Sequence, residues 1–347
     1  MTQECSYPDT RFNQAARCLS VDRPPVWIMR QAGRYLPLYQ ELRAQYSFLE
    51  VCRQPELAAK ATLDAARYLD ADAGIIFSDI MIPALGMGLE LDFIPGPKLE
   101  RPVRNAEDVK GLKLVDPAAD LPFVLDAIRL TRAKLPVEKS LIGFVGAPLT
   151  LCGYLIEGGP TKSWTHFKKM LYGEPRLFEA LMENVTESII AHARAQVEAG
   201  CDALQLFDSN AGQVAPAELK RFAFYFAQKV VTALKPLGVP IIYFARDIGA
   251  HFEAAAEVGA DVLGVDWSIS LSSIHQRVGK DIALMGNLDP TILFTSTSEV
   301  EARTRAILDE AQDIPGFIFN LGHGILPGTP PENAVALVKT VQTHRPQ

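Results

Sequence analysis

SLIGFVG (140–146) carries no charged side chain and no alternation of polar with apolar positions. A strand with one wet face alternates. An unbroken apolar run of this length suits a strand buried on both faces, as in a parallel sheet covered by helices. Much the same texture recurs in PVWIM (25–29), AGIIFS (73–78), ALQLF (203–207), PIIYFA (240–245), VLGVDW (262–267), ALMGNL (283–288) and FIFNLG (317–322).

Between these runs the apolar period changes to that of helices. Leu177, Leu181, Val185, Ile189, Ala193 and Val197 recur every four residues, and Gly200 follows as a stop. Pro216 opens another helix with Leu219, Phe222, Phe226 and Val230 on one stripe. Leu57, Ala61, Ala65, Tyr68 and Leu69 form a third stripe after Pro55. Strand and helix alternating eight times predict a single (β/α)8 TIM barrel over residues 1–347, with its cleft at the C-terminal ends of the strands. An open doubly wound sheet is the alternative. The long interval between the third and fourth runs, with Gly153, Gly158 and Gly159, predicts extra active-site loop. No repeat beyond the strand–helix alternation is visible.

The 347 residues are 48% apolar and 22% charged, which suits a large globular core. A net charge of −7 without any basic run does not attract nucleic acid or an anionic membrane. An anionic substrate therefore has to be met by a local arginine cluster. Cys5, Cys18, Cys52, Cys152 and Cys201 are odd in number and scattered, with no CxxC. They predict buried thiols in a reducing compartment. MTQECSYPDTRFNQAARC (1–18) has neither an apolar signal core nor the composition of a transit peptide. The most apolar stretch, Ile75 to Leu91, is interrupted by Asp79, Pro83 and Glu90. The expected location is cytoplasmic.

A barrel of this kind works at the exits of its strands. Arg30 and Arg34 follow the first run, Asp79 the second, and Asp208-Ser209-Asn210 the fourth. Arg246-Asp247, Asp266-Trp267, Asn287-Leu288-Asp289 and Gly322-His323-Gly324 follow the remaining four. Any strand end that meets water is polar, but so many on one rim point to a site. In WIMRQAGRYLP (27–37) two arginines four apart flank Gly33. A chain that turns inward at the glycine aims both guanidiniums at the cavity, and their planar fork suits carboxylates. A solvated surface loop is the bland alternative. Asp79 stands between IIFS and IMIP. A carboxylate in such surroundings is costly without a partner, so it either pairs with an arginine or awaits a cationic or N–H-bearing ligand. His323 lies between glycines that permit close approach of a ligand, and otherwise reads as a capping or surface histidine. His166, His192, His251, His275 and His344 fall mostly on helical stretches. There is no His-x-Cys pair, HExxH, P-loop, GxGxxG or strand-exit lysine, so no metal and no organic cofactor is expected.

PVWIMRQAGRYLP and GFVGAPLTLCGYLIEGG (143–159), together with FSDIMIP, LQLFDSNAG, GADVLGVDW, GNLDP and NLGHGILPGTPPEN in the family's order, resemble the signature stretches of the uroporphyrinogen decarboxylase family. FSDIMIP (77–83) falls before the second of these signatures in the chain. The resemblance runs from about Arg11 to about Val341. It implies a homodimeric barrel that removes the carboxyls of four acetate arms of uroporphyrinogen without a cofactor. It implies that Arg30 and Arg34 bind substrate carboxylates and that Asp79 accepts from the pyrrole N–H groups. It further implies that Tyr154, Ser209 and His323 line the cleft as carboxylate contacts, with Arg43 nearby. Asn210 departs from the aromatic or histidine that many members carry. The chemistry so implied makes the ring transiently cationic, so an ionised Asp79 lowers the barrier. Arg30 is then a binder and a poor acid, while His323 has the more suitable intrinsic pKa. Two rival readings are a barrel methyltransferase, whose zinc-binding His-x-Cys pair is missing here, and a tetrapyrrole-binding protein without catalysis.

Overall fold

The structure is a computed structural model that describes residues 9–94 and 96–345; Cys5 lies outside them. In chain order the strands are β1 (Ala73–Ile75), the short β2 (Leu91–Phe93) and β3 (Pro97–Leu99), β4 (Ser140–Gly146), β5 (Ala203–Asp208), β6 (Ile241–Ala245), β7 (Val262–Gly264), β8 (Ala283–Leu288) and β9 (Ile318–Leu321). Seven of them form one sheet in the order β1-β4-β5-β6-β7-β8-β9, every neighbour parallel. β2 and β3 pair antiparallel with each other, a hairpin that the apolar pattern does not announce.

The first apolar run is not a regular strand. It makes a single parallel bridge, Val26 with Phe319. Pro24 and Pro25 have no N–H to give a ladder. The run nevertheless closes the barrel between β9 and β1. Phe319 N donates to Pro25 O at 2.8 Å, Trp27 N to Phe319 O at 3.3 Å, and Asp72 N to Val26 O at 2.8 Å. Side chains complete the seam: Met29 N donates to Asn320 Oδ1 at 2.9 Å, and Gln31 Nε2 to Ala73 O at 3.1 Å. Closure rules out the open doubly wound sheet and gives the expected (β/α)8 architecture.

A further regularity lies at the strand starts. Asp72, Asp202 and Asp261 each stand one residue before a strand, β1, β5 and β7. Each carboxylate accepts a backbone N–H near the start of the preceding barrel position: Val26 N at 2.8 Å, Leu141 N at 2.7 Å and Ile241 N at 2.8 Å. Each aspartate's own N–H returns to the carbonyl of that same residue. A cation then neutralises each clasp: Arg11 and Arg23 on Asp72, Arg132 on Asp202, Lys235 on Asp261. Three alternate strand pairs are thus pinned at the end of the barrel opposite the cleft.

Helices cover the sheet largely where the periodicity places them. Pro175–Glu198 starts with proline at its first turn and buries Leu181, Val185, Ile189, Ala193 and Val197. Gly200 follows it with φ +122. Pro55–Leu69 buries Ala61, Ala65 and Leu69, but Tyr68 is exposed, off the stripe assigned to it. The helical stretch from Pro216 contains a π-turn at Leu219–Phe224 before continuing as Tyr225–Leu234. The interval between β4 and β5 is mostly helix, Pro148–Glu157, Thr165–Gly173 and Pro175–Glu198, not the long loop expected. Cys52, Cys152 and Cys201 are buried free thiols, and Cys18 is half-buried. Among the described residues no helix is long and apolar enough to cross a membrane.

Candidate active site

Arg30 leaves the first run at the barrel mouth with φ +64, a left-handed conformation that costs a non-glycine residue about 1 kcal/mol. The fully buried Gln31 holds this turn, accepting Ile28 N at 3.3 Å while its amide donates to Ala73 O. Gly33 is required by close approach rather than by its own φ: a Cβ there lies 2.7 Å from Arg30 O. Across the seam, a Cβ on Gly324 lies 2.4 Å from Arg30 Cδ, so the glycine beside His323 makes the room that the Arg30 chain occupies. No carboxylate stands within ion-pair distance of Arg30 or Arg34 among the described residues.

Asp79 follows β1. Its Oδ1 accepts Met81 N at 2.8 Å. No protein donor among the described residues reaches Oδ2, and no cation pairs with the group. Of the two alternatives left by the sequence, the structural ion pair is therefore absent. Burial raises the Asp79 pKa, while the Met81 N–H and the charge of Arg30 oppose it. Tyr154, on the helix Pro148–Glu157, is half-buried, with its ring edge-on to Trp164 at 6.0 Å. Burial pushes its hydroxyl up. Asp79 acts in the same direction, and Asn210, Arg30 and Arg246 act against it.

His323, at the exit of β9, is pushed down to about 3, first by burial and then by Arg30 and Arg246. In the free protein its imidazole is neutral around pH 7. That corrects the expectation drawn from its intrinsic pKa: without substrate, His323 offers an N–H donor and not a ready acid.

The floor between these groups is aromatic. Phe144 of β4 meets Phe207 of β5 at 5.6 Å, Phe207 meets Phe244 of β6 at 6.4 Å, and Phe244 meets the His323 ring at 6.2 Å, all edge to face. Beside this floor the fully buried Asp208 accepts from Thr150 Oγ1 at 2.6 Å and Tyr243 Oη at 3.0 Å, and Thr150 Oγ1 in turn accepts Asn210 N at 3.1 Å. This network fixes the backbone that carries Ser209 and Asn210. Ser209 is half-buried, and its hydroxyl meets no described residue.

The charge of Arg30 acts on Asp79, Tyr154 and His323, which places these four groups near one another at the barrel mouth, and Ser209 follows the exit of β5. Arg34 stands further out. It is exposed, and its charge acts on Tyr39, whereas the charge that acts on Asp79 is that of Arg30. Arg43 stacks over Phe48 at 6.0 Å and donates to Tyr46 O, which is a structural use. Asp266, Asn287 and Asp289 serve turns: Asp266 accepts Asp247 N and Ser268 N, Asn287 donates to Ile269 O, and Asp289 accepts Thr291 N. Those three serve the backbone, and two of them, Asp266 and Asn287, are buried, so the bland reading of strand ends that meet water does not account for them. Sequence reasoning missed the aromatic floor and gave Arg246 no role. The signal for both was period two along PIIYFA and ALQLF.

A family model described as uroporphyrinogen decarboxylase (URO-D) matches residues 7–344. A protein of Geobacter sulfurreducens named uroporphyrinogen decarboxylase is 43% identical over 96% of this chain and 98% of its own length. One of Syntrophotalea carbinolica with the same name is 45% identical over 96% and 97%. Among solved structures, a methyltransferase from Methanosarcina mazei superposes with a TM-score of 0.82 over 96% of this chain and 97% of its own, at 23% identity. That likeness shows the fold alone. With the family model spanning nearly all of it and relatives this similar end to end, the chain belongs to the uroporphyrinogen decarboxylase family.

Proposed function

We propose that this chain decarboxylates the four acetate arms of uroporphyrinogen III to give coproporphyrinogen III, in porphyrin biosynthesis. The observation that carries the reading is Asp79: one oxygen committed to a backbone N–H, the other without a protein donor among the described residues, and no cation in ion-pair contact, with Arg30 acting on it only by its charge. Such a group suits a ligand that brings converging N–H groups and becomes positive during reaction.

A proton adds to a ring carbon next to the one that bears the acetate arm, and the pyrrole becomes cationic. The bond from the arm's CH2 to its carboxylate then breaks. CO2 leaves, and the electron pair forms an exocyclic C=C that neutralises the ring. A second proton converts the CH2 to CH3 as the first is returned, so each arm consumes one proton net. Asp79 stabilises the cation electrostatically, in a pocket where a fixed charge acts more strongly than in water. Arg30 and Arg34 bind arms of the substrate, the former beside Asp79 and the latter at the outer lip. Tyr154, Ser209 and His323 complete the contacts, with neutral His323 as a donor. The family likeness supports a homodimer, a cytoplasmic location, one barrel domain over residues 1–347, and no metal or organic cofactor.

The test is anaerobic incubation with uroporphyrinogen, followed by chromatographic counting of product carboxylates. Wild type yields species running from eight carboxylates to four. Asp79→Asn keeps the fold and loses about a hundredfold or more in rate. Undiminished turnover by that variant refutes the anion's role, and a wild type that leaves all carboxylates in place refutes the reaction.

A further inference from the structure

Arg246 is the first residue past β6. It follows Phe244 by two, so strand periodicity sends both side chains to the same side, and the Phe244 ring already faces His323. In barrel order Arg30 leaves the first position and Arg246 the fifth of eight, so the two guanidiniums stand on opposite walls of the mouth. The Arg246 backbone is fixed by its own N–H to Asp208 O at 3.2 Å and by Gly212 N to its carbonyl at 3.1 Å.

Its side chain, by contrast, is only parked. Nε and Nη2 both lie 2.8 Å from Oδ2 of Asp247, its neighbour in sequence, and the two side chains are 34% and 46% exposed. A pair as open as this contributes little and is readily given up. Asp247 holds that position with φ +58, its N–H bound to Asp266 Oδ2 at 3.0 Å. Nearby, the buried Asn210 Nδ2 meets only the Tyr154 hydroxyl, short of a well-formed hydrogen bond. Asn210 and Arg246 both act on the Tyr154 hydroxyl, which places the three together. A buried donor so weakly held, beside a loosely held cation, is an arrangement that an anion completes.

We propose that Arg246, Asn210 and Tyr154 form a second carboxylate subsite, facing Arg30 across the cleft, and that Arg246 leaves Asp247 to bind an arm of the substrate. The proposal rests on the polycarboxylate reading of the cleft. A macrocycle with acidic arms on all sides needs cations on opposing walls, and Arg30 with Arg34 supply only one.

Steady-state kinetics on uroporphyrinogen with wild type, Arg246→Gln, Arg246→Lys and Asp247→Asn decide it. Wild-type turnover is read first, so a failure of the decarboxylase reading itself is seen separately. Arg246→Gln raises KM about tenfold or more with kcat within about threefold, because a charge-assisted contact is lost from binding. Arg246→Lys recovers most of the loss, and keeps the test alive if the glutamine variant fails to fold. Asp247→Asn retains the left-handed backbone, which asparagine tolerates, and lowers KM by releasing the arginine. A KM for Arg246→Gln within about twofold of wild type overturns the proposal. So does a collapse of kcat at unchanged KM, or a KM for Asp247→Asn that rises as far as that of Arg246→Gln.

Discussion

Asp208 is a fully buried carboxyl that meets hydroxyls and no cation. Burial pushes its pKa up to about 6, against the pull of Thr150 and Tyr243. The folded protein therefore keeps a proton on Asp208 where the unfolded chain, at about 3.9, has lost it. Folded binds more protons than unfolded between those values, so this residue's contribution to stability is greatest at low pH and falls as pH rises from about 4 to about 6. Over that window the contribution lost is roughly 3 kcal/mol. Asp208→Asn removes the titration. Its thermal midpoint, measured against wild type, should rise across that window; a difference constant with pH would show that Asp208 does not titrate there. At this scale the sequence was informative where chain position alone puts a group on the rim, as for Arg30, Asp79 and His323. It was silent on environment. The same imidazole that reads as an acid in isolation is neutral once it is buried and two guanidiniums face it. Arg34, four residues from Arg30, is carried outward by the helical entry of Pro37–Gln45.

Among the elements, the aspartate clasps explain how short strands keep register. β7 has only three residues in its ladder, yet Asp261 ties its start to Ile241 by both N–H and carboxylate. Asp202 is the most enclosed of the three and has a single cation, Arg132, at 2.5 Å. Asp202→Ala leaves Leu141 N unpaired and Arg132 with only backbone carbonyls of Leu135, Pro136 and Lys139. A loss of about 3 kcal/mol is expected in denaturant unfolding, with decarboxylation at 25 °C unchanged because the clasp lies at the far end of the barrel. A loss under about 1 kcal/mol would show the clasp to be incidental. Runs such as 140–146 and 283–288 match their strands end to end because both faces are buried and nothing charged interrupts them. The glycines after β4 misled for a physical reason. Gly153 sits inside a helix, where a Cβ would lie 2.7 Å from the Trp164 ring, and Gly158 is that helix's left-handed cap. They mark packing and a stop, and neither makes a loop. The β2–β3 hairpin escaped notice because three-residue strands show no period.

The molecule as a whole uses charge differently at its two ends: aspartates with their cations pin the barrel at one end, while at the other Arg30 and Asp79 stand outside any ion pair among the described residues. The fold class was legible because eight buried runs leave few architectures, whereas the manner of closure was not, since it depends on which backbone groups prolines withhold. The seam at Val26 and Phe319 is fastened by scattered bonds and side chains in place of a ladder, and Arg30 is built on it. Amide hydrogen exchange should therefore be faster at Trp27 and Phe319 than along β5, which is laddered on both sides. A tetrapyrrole gripping Arg30 would act as a latch on the whole wall, slowing exchange at the seam more than in β5. In that case occupancy of the cavity and integrity of the enclosure are one equilibrium, and the empty enzyme is the form that breathes.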